Sequence, residues 1–250
     1  MRRSSPLGLL VVCGLAAAFM TPEAKAGPLS LRDLLQGGRH RSQQVEQPTP
    51  PVAVYAPDSG VAFVFDRTAS PPLLRFASSN EIWVLRAEPG PRGDTIYKND
   101  LGEPMLRASR LGGLTLFTVE SPGGTAVALQ GEAPPIRPPA ILSPAALLQH
   151  MAQASARASH ALQRLVVFDA PDVTPESAFL VADAAGVTAE AIASLDKKTR
   201  ESLKLNRVVF EPGRAPSARL NDGVLQITVA PTKGVAGRPS SRLIDVVMNR

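Results

Sequence analysis

The sequence predicts an α+β protein, with an antiparallel β-rich N-terminal unit, about three helices, and a C-terminal β-hairpin and strand. Three observations predict it. Short apolar segments recur every ten or so residues between positions 61 and 130, separated by Gly, Pro, Asn and Ser clusters. From residue 144 the apolar spacing changes to that of a helix. Near the end, Asn221-Asp222-Gly223 separates two apolar runs and reads as a hairpin turn. Strands, then helices, then strands argue against a doubly wound sheet.

The chain opens with Arg2 and Arg3, an uncharged apolar run of about 14 residues from Leu7 to Met20, and Ala24-Lys25-Ala26 before Gly27. That order of charge, apolar stretch and small-x-small site predicts a secretory signal over 1–26. A helix of such a run rises only about 21 Å, too short for a bilayer core of about 30 Å. The expected product is therefore exported, periplasmic or extracellular, with no transmembrane segment in the mature chain. Cys13 is the sole cysteine. It lies within the apolar run, so the mature chain is expected to lack disulfides and thiolate chemistry. Loss of Arg2, Arg3 and Lys25 against Glu23 lowers the net charge from +5 to +3. The remaining basic residues are interspersed with acids, as in Asp196-Lys197-Lys198-Thr199-Arg200-Glu201, and aromatics are few. Nucleic acid is excluded as a partner on that ground.

A flexible lead is expected over 27–51, where polar residues and prolines leave little apolar surface to repay ordering. The β unit is expected over 52–131, with strands at 61–66, 73–77, 81–86, 95–98, 104–108, 114–120 and 125–130. Phe63 and Phe65 alternate with polar or small neighbours and should face the core, joined by Trp83 and Phe117. Five prolines within 132–144 predict a polyproline-like connector. The α+β remainder, 145–250, is expected to pack with the β unit as one domain. Ser143 then caps a helix that begins with Pro144, and Thr174-Pro175 repeats the start. Gly186 is read as its C-cap, and Thr188 as the opening of a third helix to about 204. Strands at 207–211, 218–220, 224–229 and 243–247 complete the pattern.

Chemistry is harder to find. No nucleophile elbow, P-loop or dinucleotide fingerprint occurs. His150 and His160 sit ten residues apart on one predicted helix, about 15 Å along its axis. They cannot act on one atom. The densest polar stretch holds Asp94, Asp100 and Glu103, the weak candidates for a catalytic carboxylate pair of the glycosidase type. A hairpin around Asn99-Asp100-Leu101-Gly102, with its carboxylates solvated, is the simpler reading. A second stretch, Gly234-Val235-Ala236-Gly237-Arg238-Pro239-Ser240-Ser241-Arg242, could hold an anion through Arg238, Ser240 and Ser241, although a glycine-rich loop between strands is the simpler account. No metal site and no cofactor are expected. The partner expected is an unidentified envelope protein or glycan.

Gly93-Asp94-Thr95-Ile96-Tyr97-Lys98-Asn99-Asp100, Gly102-Glu103-Pro104, Leu111-Gly112-Gly113-Leu114-Thr115-Leu116-Phe117-Thr118 and the late Ala236-Gly237-Arg238-Pro239-Ser240-Ser241 resemble a domain-of-unknown-function family of exported alphaproteobacterial proteins. The resemblance spans most of the chain from about residue 53. It implies a bacterial, periplasmic setting and brings no activity, cofactor or catalytic residue. The function expected is a non-catalytic binding or interaction module of the bacterial envelope, the alternative being an envelope hydrolase using the carboxylate pair.

Overall fold

A computed structural model describes residues 49–137 and 142–249. The expected signal, the lead up to residue 48 and connector residues 138–141 lie outside the described residues. Nine short strands come first: β1 (Val52–Pro57), β2 (Phe63–Asp66), β3 (Leu73–Phe76), β4 (Trp83–Val84), β5 (Arg86–Pro89), β6 (Thr95–Lys98), β7 (Pro104–Ala108), β8 (Leu114–Leu116) and β9 (Thr125–Glu132). They form one antiparallel sheet in the order β4-β3-β2-β1-β9-β8-β7-β6-β5. The spacing of turns and apolar runs thus carried the β unit, although β1 was not among the expected strands.

The two edge strands, β4 and β5, are separated in sequence by Leu85 alone. Two Cα steps span at most about 7.6 Å, so the edges of the sheet are necessarily adjacent. The sheet therefore closes on itself, with β4 and β5 acting as one kinked stave between β3 and β6. Both edge strands are short, two residues for β4 and four for β5, which limits the bare edge available for pairing with another chain. The register confirms a single interior: Tyr55 opposes Phe63, Phe65 opposes Leu74, Tyr97 opposes Leu106, and Leu106 opposes Leu116. These side chains form one buried cluster, with the partly buried Tyr97 packed against it. Phe65 and Tyr97, on strands that are not neighbours, meet edge to face with ring centroids 5.0 Å apart. A barrel of about eight staves has an interior just wide enough for side chains or one small ligand.

The second sheet has the order β10-β11-β13-β12, from β10 (Val167–Asp169), β11 (Arg207–Pro212), β12 (Ser217–Asn221) and β13 (Val224–Val229). β10, β11 and β13 run parallel, and β12 returns antiparallel across the Asp222-Gly223 turn. Both turn residues have positive φ, 47° and 79°, which selects the type I′ hairpin and glycine at the second position. Helices α1 (Pro144–Leu162) and α2 (Pro175–Ser194) supply the core against this sheet through Met151, Ala154, Leu180, Ala184 and Ile192. Ser143 caps α1 and Thr174 forms a capping box on α2, as the Pro-bearing starts predict. Helix α2 is long and apolar enough to cross a membrane, but most of it is buried within this unit.

Three expectations are corrected here. Gly186 does not end a helix. α2 continues through it to Ser194, because Val187, Thr188, Ala189 and Ile192 are all buried and the Thr188 hydroxyl donates to the Ala184 carbonyl at 2.7 Å. Burial outweighs the roughly 1 kcal/mol that glycine costs in a helix interior. Only the short α3 (Lys197–Ser202), capped by Asp196, follows. Finally, the expected strand at 243–247 is helix α4 (Ser241–Met248). Ser240 caps it, and Ile244 and Met248 are buried at i, i+4 spacing, a pattern that such a short apolar run does not distinguish from a strand.

The connector is fastened to the barrel at Ile136, which is buried and donates its N–H to Asp66 at 2.8 Å. Pro48–Arg250 form one compact unit.

Candidate functional site

In an antiparallel meander alternate loops fall at the same end. The β1–β2, β3–β4, β6–β7 and β8–β9 loops thus gather at one mouth of the barrel, where they enclose a cleft of about 990 Å³. Phe76, Trp83, Met105, Leu116 and Phe117 form its apolar walls, and the exposed Val61 and Val119 extend them to the rim. Trp83 and Phe117, expected as core residues, therefore face a cleft, while Phe63 and Phe65 are buried as the alternation predicts. Sequence reasoning missed this site because a wall residue and a core residue share one apolar pattern.

At one side of the mouth the walls turn polar. Asn99 is buried in the β6–β7 turn, where its Oδ1 accepts from the N–H groups of Leu101 (3.0 Å) and Glu103 (2.9 Å) and its Nδ2 donates to Glu103 at 3.0 Å. Gly102 has φ +80° there, as the turn chemistry predicts. Arg242, from the first turn of α4, donates Nε and Nη2 to the two Glu103 oxygens at 3.2 Å each and Nη1 to Asp245 at 3.2 Å.

The two polar stretches singled out in the sequence meet beside the mouth. Asp100 accepts from both the N–H (2.8 Å) and the hydroxyl (2.6 Å) of Ser240, and Glu81 from the N–H (2.9 Å) and hydroxyl (2.5 Å) of Ser241. Arg238 is buried and donates to Asp183 (2.5 Å), Glu81 (3.3 Å) and the Ile82 carbonyl (2.9 Å). The expected anion loop is thus filled by carboxylates of the protein itself. It joins the barrel to α2 and α4, and runs between a strand and a helix rather than between strands. Gly237 permits the close turn that aims Arg238, since a Cβ there would lie 2.2 Å from the Ala230 carbonyl oxygen.

The solvated-tip reading holds for Asp100, which is exposed, and for the half-exposed Glu103, and is corrected for Asp94. Asp94 is not with the others. It lies before β6, at the opposite end of the barrel, buried and bonded to Arg107 Nε at 2.6 Å. Asp100 caps the approach of α4, and of the three only Glu103 lines the cleft. Each is occupied by its own donor. Among the described residues no group of three His, Cys, Asp or Glu side chains is placed to hold a metal ion.

The electrostatics follow these contacts. Hydrogen bonds from Arg242 hold Glu103 below the ordinary glutamate value, and those from Arg107 hold Asp94 below the ordinary aspartate value. Burial pushes Glu81 the other way, because Arg238 is shared between it and Asp183. For a depressed carboxylate the stabilisation is complete above the unfolded value, about 4.3 for Glu, and is lost as pH falls through the folded one. Glu103 is partly exposed, so screening limits its share to about 1 kcal/mol. Glu103→Gln is expected to lower the melting temperature at neutral pH but not at pH values below its titration. Equal shifts at both would remove the Arg242 pair from the stability of the fold.

No curated protein and no solved structure matches the chain. The profile of one family, described as a domain of unknown function (DUF4908), matches residues 30–248, which takes in the barrel, the α/β layer and the loop that joins them, and the chain belongs to that family.

Proposed function

We propose that the protein is a non-catalytic binding module of the bacterial envelope, exported by its N-terminal signal, that takes an apolar ligand into the barrel mouth. The observation that carries this reading is the open cleft of about 990 Å³ walled by Phe76, Trp83 and Phe117. Ligand sites are concave and mostly apolar with a few placed polar groups, and the mouth of a β-barrel is a favoured position for them. Its charged wall residues are Glu103, Glu120 and Arg242, and the Arg242 guanidinium already satisfies Glu103. A hydrolase would need two carboxylates facing one bond, whereas Asp94 and Asp100 lie outside the cleft and Glu103 is engaged by Arg242 within it.

A neutral naphthylamine dye whose emission rises in apolar surroundings tests the reading. It should brighten in the presence of the protein and saturate at one site. Val119→Asp places a carboxylate at the rim without touching the core, since Val119 is 74% exposed. It should weaken dye binding about tenfold, corresponding to roughly 1.4 kcal/mol of lost apolar contact. A dye that stays dark, or binds the variant equally well, would sink the proposal.

A further inference from the structure

The mouth is acidic as well as apolar. Glu120, on the β8–β9 loop, is exposed at its rim, and its carboxylate pairs with no other described side chain. The one cation of the wall, Arg242, is shared between Glu103 and Asp245. The balance around the cleft is therefore negative. A cleft with low-dielectric walls and one sign of charge concentrates ligands of the opposite sign. The rings of Phe76, Trp83 and Phe117 act in the same direction, because an aromatic face attracts a cation through its quadrupole, most strongly for Trp.

Resting on the reading of the mouth as an apolar binding site, we propose that its ligand is a cationic amphiphile: a hydrocarbon or aromatic body seated against Phe76, Trp83 and Phe117, with an amine, guanidinium or quaternary ammonium end at Glu120. An anionic amphiphile of the same length is disfavoured, because its head meets Glu120 while Arg242 is already paired. The cleft volume of about 990 Å³ leaves room for a chain of moderate length beside its head group.

Trp83 is the sole tryptophan of the chain and lines the cleft, so its emission reports occupancy directly. The full chain is titrated with dodecyltrimethylammonium, dodecyl maltoside and dodecyl sulfate, each below its micelle concentration. The expected result is saturable change with the cationic probe at an affinity about fivefold tighter than with the neutral one, and weakest binding of the sulfate. The preference should collapse in about 1 M salt, where screening shortens to about 3 Å. Glu120→Gln should reduce the cationic affinity about two- to fivefold, the range of exposed ion pairs, and leave the neutral probe unaffected. Should that variant misfold, the salt series on the unaltered protein decides alone. Equal affinities for cationic and neutral probes, or tightest binding of dodecyl sulfate, overturn the charge assignment and leave the apolar site standing. No change of Trp83 emission with any probe overturns both.

Discussion

Replacing Arg238 with alanine is expected to cost about 3–5 kcal/mol of folding stability, the penalty for removing one member of a buried ion cluster. The side chain is 3% exposed and so is that of Glu81, its partner from the barrel, while Asp183 approaches from α2. Truncation leaves two carboxylates facing one another with no cation between them. Arg238→Lys should recover only part of the loss, because one ammonium cannot reach Asp183, Glu81 and the Ile82 carbonyl in the directions the planar guanidinium supplies. Adding Glu81→Gln to Arg238→Ala should restore part of it by removing the stranded charge. Urea melts of the four proteins measure these differences. A cost under about 1 kcal/mol for Arg238→Ala would mean that the cluster is solvated and does not join the layers.

Phe63→Ala is the second large effect, expected at about 3–5 kcal/mol, the usual range for losing a buried phenylalanine. Phe63 is fully buried inside the barrel, 5.8 Å from Tyr55 and 5.9 Å from Phe76 between ring centroids. Its neighbours come from strands held on both sides by hydrogen-bonded partners, so the cavity cannot collapse. The variant also asks whether the barrel and the α/β layer melt together, as the proposal of one domain from residue 52 onward requires. One transition at lower denaturant for both Phe63→Ala and Arg238→Ala supports that proposal. Two transitions in Phe63→Ala, with the helical signal lost second, would refute it.

What could be read in the sequence was local. Turn residues at fixed intervals marked the barrel strands, Asp222-Gly223 marked the hairpin of the second sheet, and Ser143-Pro144 and Thr174-Pro175 marked two helix starts, because each depends on the backbone preferences of a few neighbouring residues. Gly186 misled for the same reason. Its local preference for ending a helix gave way to burial of the residues on either side, which is a property of what packs against α2.

The candidate residues divide along the same line. Asp100, Glu103, Arg238, Ser240 and Ser241 stood out individually by composition and glycine context. That the acids of one stretch satisfy the donors of the other, 140 residues away for Asp100 and Ser240, could not be read from either stretch alone. By itself the sequence determined the α+β class, the turn positions, the starts of α1 and α2 and the family, since these follow from short-range sterics and residue pattern. Only the tertiary structure decided that the sheet closes into a barrel, that Phe117 walls a mouth and Trp83 does so while packing on the core, and that the polar stretches lock two layers together. The physical reason is that closure, concavity and charge neutralisation are set by distances between segments far apart in the chain.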